Sequence, residues 1–96
     1  MKVVKLDFQY NDNKYSEHGS YTKIAINVDA AVKYIEQYYP NSKDITKEYL
    51  QKYPYISDDS KPFKVYTHVK ERVDEEGDWD YPVETDIRVY IEDVIE

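Results

Sequence analysis

The sequence predicts an α+β domain, a four-stranded antiparallel sheet with two helices on one face, in the order ββααββ. Three observations predict it. Four segments alternate apolar and polar residues with a period of two. Two segments in the middle of the chain repeat apolar residues at helical spacing. Clusters of turn formers separate the hairpins from the helices.

Residues 2–10 form the first predicted strand, with Val4, Leu6, Phe8 and Tyr10 alternating with Lys5, Asp7 and Gln9 so that one face turns inward. A polar loop, Asn11, Asp12, Asn13 and Lys14 through Gly19, leads into a second strand over 20–28. Its inward set is Thr22, Ile24, Ile26 and Val28. The two strands make a hairpin in which Asp7 faces Lys23 on the solvent side.

Asp29 is a candidate N-cap for a helix over 30–39. Ala31, Ile35 and Tyr38 share one face, with Val32 and Tyr39 beside them, and Pro40 ends the helix. Ser42 or Asp44 caps a second helix over 43–53, with Ile45, Tyr49, Leu50 and Tyr53 inward and Pro54 at its end. Residues 54–62 are a loop.

Strands over 63–73 and 83–93 complete the sheet. Phe63, Val65, Thr67, Val69 and Val73 alternate with polar residues, as do Val83, Thr85, Ile87, Val89 and Ile91. Both strands place apolar residues at odd positions, so odd residues pair with odd. Pairing Val69 with Ile87 sets Arg72 against Glu84, Lys70 against Asp86, Tyr66 against Tyr90 and Lys64 against Glu92, with His68 against Arg88 as the penalty. The adjacent register sets Lys70 against Glu84 and His68 against Asp86. Each such cross-strand pair contributes about 0.2–1 kcal/mol.

The chain of 96 residues reads as a single domain over 1–96, which buries roughly 60–65% of its unfolded surface. Cysteine is absent, so disulfide and thiolate chemistry are excluded. The first residues lack an apolar signal core and no apolar run reaches membrane-spanning length. The expectation is a cytoplasmic protein without a membrane partner.

Net charge is −7 and lies in one half of the chain. Residues 1–48 hold seven bases and seven acids, residues 49–96 six bases and thirteen acids. Such a surface repels phosphate backbones, which argues against direct nucleic-acid binding, and attracts a basic protein. Acidity for solubility alone is the competing explanation. The excess is densest at residues 74–82, which carry five acids, no base and the single tryptophan. In either hairpin register the strand acids have partners and these do not.

Catalytic patterns are missing. His18 falls in a loop and His68 among surface lysines, with nothing to fix a nucleophile near either. Two glycines cannot build a phosphate-cradling loop. Asp74, Glu76, Asp78 and Asp80 alternate as oxygen ligands would, but the glycine falls between the second and third acids and no glutamate closes a calcium loop. No enzyme activity, catalytic residue, metal site or cofactor is expected. Of the 12 tyrosines, Tyr34, Tyr38, Tyr49 and Tyr53 sit at helical spacing and are read as packing. Trp79, in a charged loop, either contacts a partner or folds back on the sheet edge. The candidate partner-binding residues are Asp74, Glu75, Glu76, Asp78, Trp79, Asp80, Tyr81, Glu84 and Asp86, with Trp79 as aromatic anchor.

An acidic chain of this size without cysteine, rich in Lys, Tyr, Ile, Asn and Asp, is similar in character to small accessory proteins of low-GC bacteria and their phages. Its acids Asp74, Glu75, Glu76, Asp78, Asp80, Glu84 and Asp86 resemble those of phage-encoded inhibitors that mimic nucleic acid, the anti-CRISPR and anti-restriction proteins. The likeness is one of class. It implies carboxylates that stand in for phosphates in the basic cleft of a nucleic-acid-handling protein. Immunity proteins that neutralise nuclease toxins are similar in size and charge and set a tyrosine or tryptophan among carboxylates. A structural or assembly module whose acidity serves solubility is the third class.

Overall fold

The computed structural model describes residues 1–12 and 14–95, the side chain of Trp79 excepted. Asn13, placed by the sequence in the first loop, and Glu96 lie outside the described residues. The described chain runs β1 (Lys2–Asp12), β2 (Glu17–Ala25), α1 (Val28–Tyr38), β3 (Lys43–Asp44), α2 (Thr46–Lys52), a 3-10 turn at Asp58–Ser60, β4 (Lys64–Val73) and β5 (Trp79–Asp93). Its strands form one antiparallel sheet in the order β2-β1-β5-β4-β3.

The α+β class and the antiparallel sheet agree with the sequence. The expected four strands become five because Lys43 and Asp44 pair with Thr67 and Tyr66 before α2 begins. The expected helix start at 43 therefore moves to Thr46. Asp44 still acts at that end, its Oδ1 accepting from the Thr46 amide at 2.9 Å. Asn27, rather than Asp29, caps α1 by accepting from the Ala30 amide at 2.8 Å. Asp29 lies in the first turn, where a carboxylate meets the positive end of the helix dipole.

Phe8 organises the core. It is fully buried, with Tyr21 stacked at 4.7 Å, Tyr39 at 5.3 Å and Tyr34 edge-on at 6.0 Å. Val4, Leu6, Ala31, Ile35, Ile87 and Val89 complete the cluster. Tyr39 turns inward where Tyr38 was expected, and Tyr38 is exposed. In β2 the expected inward face is reversed. Phe8 pairs with Tyr21 and Val4 with Ala25, leaving Ile24 62% exposed and setting Asp7 against Thr22 instead of Lys23. The aromatic stack on Phe8 buries more surface than Ile24 offers, and alternation turns Ile24 to the other side.

The two helices do not share a face, contrary to expectation. α1 covers the even residues of β1 and the odd residues of β5. α2 lies on the reverse, where Tyr49 and Tyr53 border Val65 and Arg88 and the Tyr49 hydroxyl meets Arg88 at 3.5 Å. This corrects the second hairpin as well. Val65 pairs with Arg88 and Tyr66 with Ile87, so odd residues meet even ones, three residues from the first expected register and one from the second. Because Val65 is buried beneath α2, Tyr66 and His68 take the α1 side. The expected pairs of Lys70 with Asp86 and Lys64 with Glu92 give way to Thr67–Asp86 at 2.9 Å and Lys5–Glu92 at 2.9 Å.

β5, at 15 residues, extends about 50 Å at ~3.3 Å per residue, close to the 54 Å long axis of the molecule. α1, at 11 residues, spans only about 16 Å. Buried positions accordingly stop at Phe8 on β1 and Thr85 on β5. Beyond them the hairpins project without a helix over them among the described residues, and other interactions must hold that end.

Candidate functional site

The projecting end is where the acidic segment lies. β4 turns at Asp74, whose carbonyl accepts from the Gly77 amide at 3.1 Å, while its own amide donates to the Asp78 carbonyl at 2.8 Å. Gly77 has φ +84°, the left-handed residue that closes a three-residue hairpin loop. Asp74 Oδ1 accepts from the amides of Glu76 and Asp78, each at 2.9 Å. Asp74 is thus the side chain that shapes this turn.

The expected connection of 74–82 is shorter in the structure, because β5 begins at Trp79. Lys70 pairs with Val83 but Arg72 pairs with Asp80, so Tyr81 and Pro82 oppose Glu71 in a bulge. A bulge accommodates the amide that proline lacks, which lets the strand run through Pro82. It also brings Arg72 and Asp80 to the same side as Asp12.

There the charges pair. Arg72 donates two bonds to Asp12, at 3.0 and 2.8 Å, and a third from Nε to the Tyr81 carbonyl at 2.8 Å. Lys14 bonds to Asp80. The Tyr15 ring lies under both cations, 5.5 Å from Lys14 Nζ and 5.7 Å from the Arg72 guanidinium carbon. The Arg72 guanidinium beside Asp12 holds that carboxyl below the usual range. The Lys14 ammonium does the same to Asp80, helped by the Tyr81 amide.

The nine candidate residues therefore separate. Asp74 and Asp80 hold the hairpin together, which corrects the expectation that every acid of this segment lacks a partner. Glu75, Glu76 and Asp78 are exposed at the tip without an ion pair among the described residues. Glu75 and Glu76 border an open depression of about 570 Å³ with Lys14 and Tyr15. Tyr81 is 55% exposed. Glu84 and Asp86 lie elsewhere, on the sheet face opposite α1. With Gln9, Asn11, His18 and Ser20 they line a second depression of about 560 Å³. The side chain of Trp79 lies outside what is described.

Sequence reasoning missed Asp12, Lys14, Tyr15 and Arg72. One signal was available. Arg72 and Arg88 are the only arginines in a lysine-rich chain, and arginine is the cation whose planar fork matches a carboxylate. His68 is also misplaced by the sequence. It faces α1, edge-on to Tyr39 at 5.3 Å, and burial, with Lys70 nearby, lowers its pKa. Among the described residues no three His, Asp or Glu side chains converge as metal ligands, and no helix is long and apolar enough to cross a membrane. Compared with protein-family models, curated proteins and solved structures, the chain matches none.

Proposed function

We propose that this chain is a non-catalytic, acidic binding protein that occludes a basic, nucleic-acid-handling partner by charge mimicry, in the manner of phage anti-CRISPR or anti-restriction inhibitors. One observation supports this reading above the others. Asp12 and Asp80 are neutralised at the base of the projecting hairpin, whereas Glu75, Glu76 and Asp78 stand in solvent at its end. Fixed backbone and unopposed charge together suit insertion into a cleft lined by Lys and Arg. Glu84 and Asp86 extend the negative surface along the same strand, and the partner would be met in the cytoplasm. The exposed Tyr15 and Tyr81 near these acids also fit a second reading, an immunity protein that plugs a nuclease toxin, since tyrosine is enriched at binding hot spots.

The experiment compares the parent with a Glu75→Gln, Glu76→Gln, Asp78→Asn, Glu84→Gln, Asp86→Asn variant, each immobilised and exposed to host lysate. The parent should retain basic nucleic-acid-binding proteins that are released by added salt and by competing duplex DNA, and the variant should not. Retention of the same proteins by the neutralised variant, or capture insensitive to both salt and DNA, would overturn the proposal. A captured nuclease whose activity is blocked would favour the immunity reading.

A further inference from the structure

The two long edges of the sheet are built differently. Beyond the short β3 contact, β4 carries Lys70, Glu71 and Arg72 and a register shift, the charge and irregularity that discourage edge-to-edge pairing. β2 has neither a proline nor a bulge. It pairs with β1 in unbroken register over 9 residues, and among the described residues no strand pairs with its outer side. Ile24 and Ile26, 62% and 75% exposed, stand at its end.

The charges of β2 select an occupant for that edge. Its two charged residues are Glu17 and Lys23, and neither forms an ion pair in the chain among the described residues. Glu17 lies opposite Asp12, whose charge is taken by Arg72, so Glu17 faces a carboxylate with no cation of its own. If a second β2 is laid antiparallel on the edge about a two-fold axis at Ser20, Glu17 meets Lys23 of the second copy and Lys23 meets its Glu17. No other two-fold register of this strand joins its two charges. The same register sets Tyr21 against Gly19, pairs Ser20 with itself and keeps both α1 helices on one side.

Long-range electrostatics agree. The chain's excess of −7 belongs to residues 49–96, while residues 1–48 are balanced, and β2 is the edge strand furthest from β4. Joining two copies through β2 places the acidic hairpins at the two outer ends of a ten-stranded sheet, where their mutual repulsion is least. We propose that the β2 edge binds a second copy of this chain, giving a two-fold dimer with Glu17–Lys23 pairs across it. β4 and β5 take no part, so the dimer stands or falls independently of the inhibitor reading.

The test is sedimentation equilibrium of the parent, Glu17→Lys, Lys23→Glu and the doubly swapped protein, each at up to about 100 μM. The parent should dimerise. Because symmetry repeats every substitution, each single swap turns two attractive pairs into two repulsive ones and should weaken association about tenfold or more. The double swap restores opposite charges and should restore the parent's association. A parent that is monomeric throughout, or single swaps that dimerise as tightly as the parent, would overturn the proposal. A double swap no better than the singles would overturn the Ser20 register. Circular dichroism confirms that each variant is folded, and these exposed positions leave the core untouched.

Discussion

Arg72 on β4 reaches across the whole width of β5 to grip Asp12 on β1, with two bonds to the carboxylate at 2.8 and 3.0 Å and a third to a β5 carbonyl. One side chain thereby ties three strands together beyond the end of α1, where no buried apolar residue lies among the described residues. Lys14 and Asp80 add a second tie from the β1–β2 turn.

Arg72→Lys keeps the charge but loses the fork, and Arg72→Ala loses both. Stability at neutral pH should fall in both, more in the alanine variant, and by less than a core truncation. Asp12 is more acidic folded than unfolded, so its contribution is complete above the ordinary value of 3.8 and disappears as pH falls through the depressed folded value. The gap between parent and variant, measured by urea unfolding, should close below that range. A gap that persists in strong acid would show that Arg72 acts by packing.

His68 titrates with the opposite charge but the same slope. Burial beside Tyr39, with Lys70 near, lowers its pKa from 6.5, so the unfolded chain takes up the proton first. Stability is fully present above pH 6.5 and declines as pH falls from there to the folded value. His68→Gln should flatten this step. An unchanged pH profile in that variant would place the ring in solvent.

The reversed face of β2 is checked by a pair of substitutions. Phe8→Ala removes the centre of the aromatic stack and should cost about 3–5 kcal/mol. Ile24→Thr, on the open side, should change stability by no more than about 0.5 kcal/mol. If Ile24→Thr proves the more damaging, β2 presents its other face to the core.

At the hairpin tip, Gly77→Ala forces a side chain into the left-handed region and should destabilise by about 1 kcal/mol or more, with Gly77→Asn milder. Chemical denaturation of the two variants measures the order. Equal stability of alanine and glycine there would contradict the turn geometry.

Six of the eight elements among the described residues were legible in the sequence, and their period explains why. Alternation in β1, β4 and β5 and the Ala31–Ile35 spacing in α1 are local properties, as are the stops at Pro40 and Pro54. The turn at Asp74–Gly77 was visible as residues, though not as the reason for Asp74. The two-residue β3 has no period to detect, and the 3-10 turn at Asp58–Ser60 is shorter than one.

Composition and spacing alone determined an α+β chain with antiparallel hairpins around central helices and an acidic second half. Which side of each strand turns inward was decided only by tertiary packing. Alternation groups residues into two sets but does not rank them when both sides of a sheet receive a helix. α2 took the reverse face and drew Val65 to it, which set the odd residues of β4 against the even residues of β5. The same limit hid the pairing of Asp80. Its partner Lys14 and the neighbouring Arg72–Asp12 fork are brought together by strand order β2-β1-β5-β4 and by the bulge at Pro82, and ion pairs between residues so distant in sequence form only once the chain has folded.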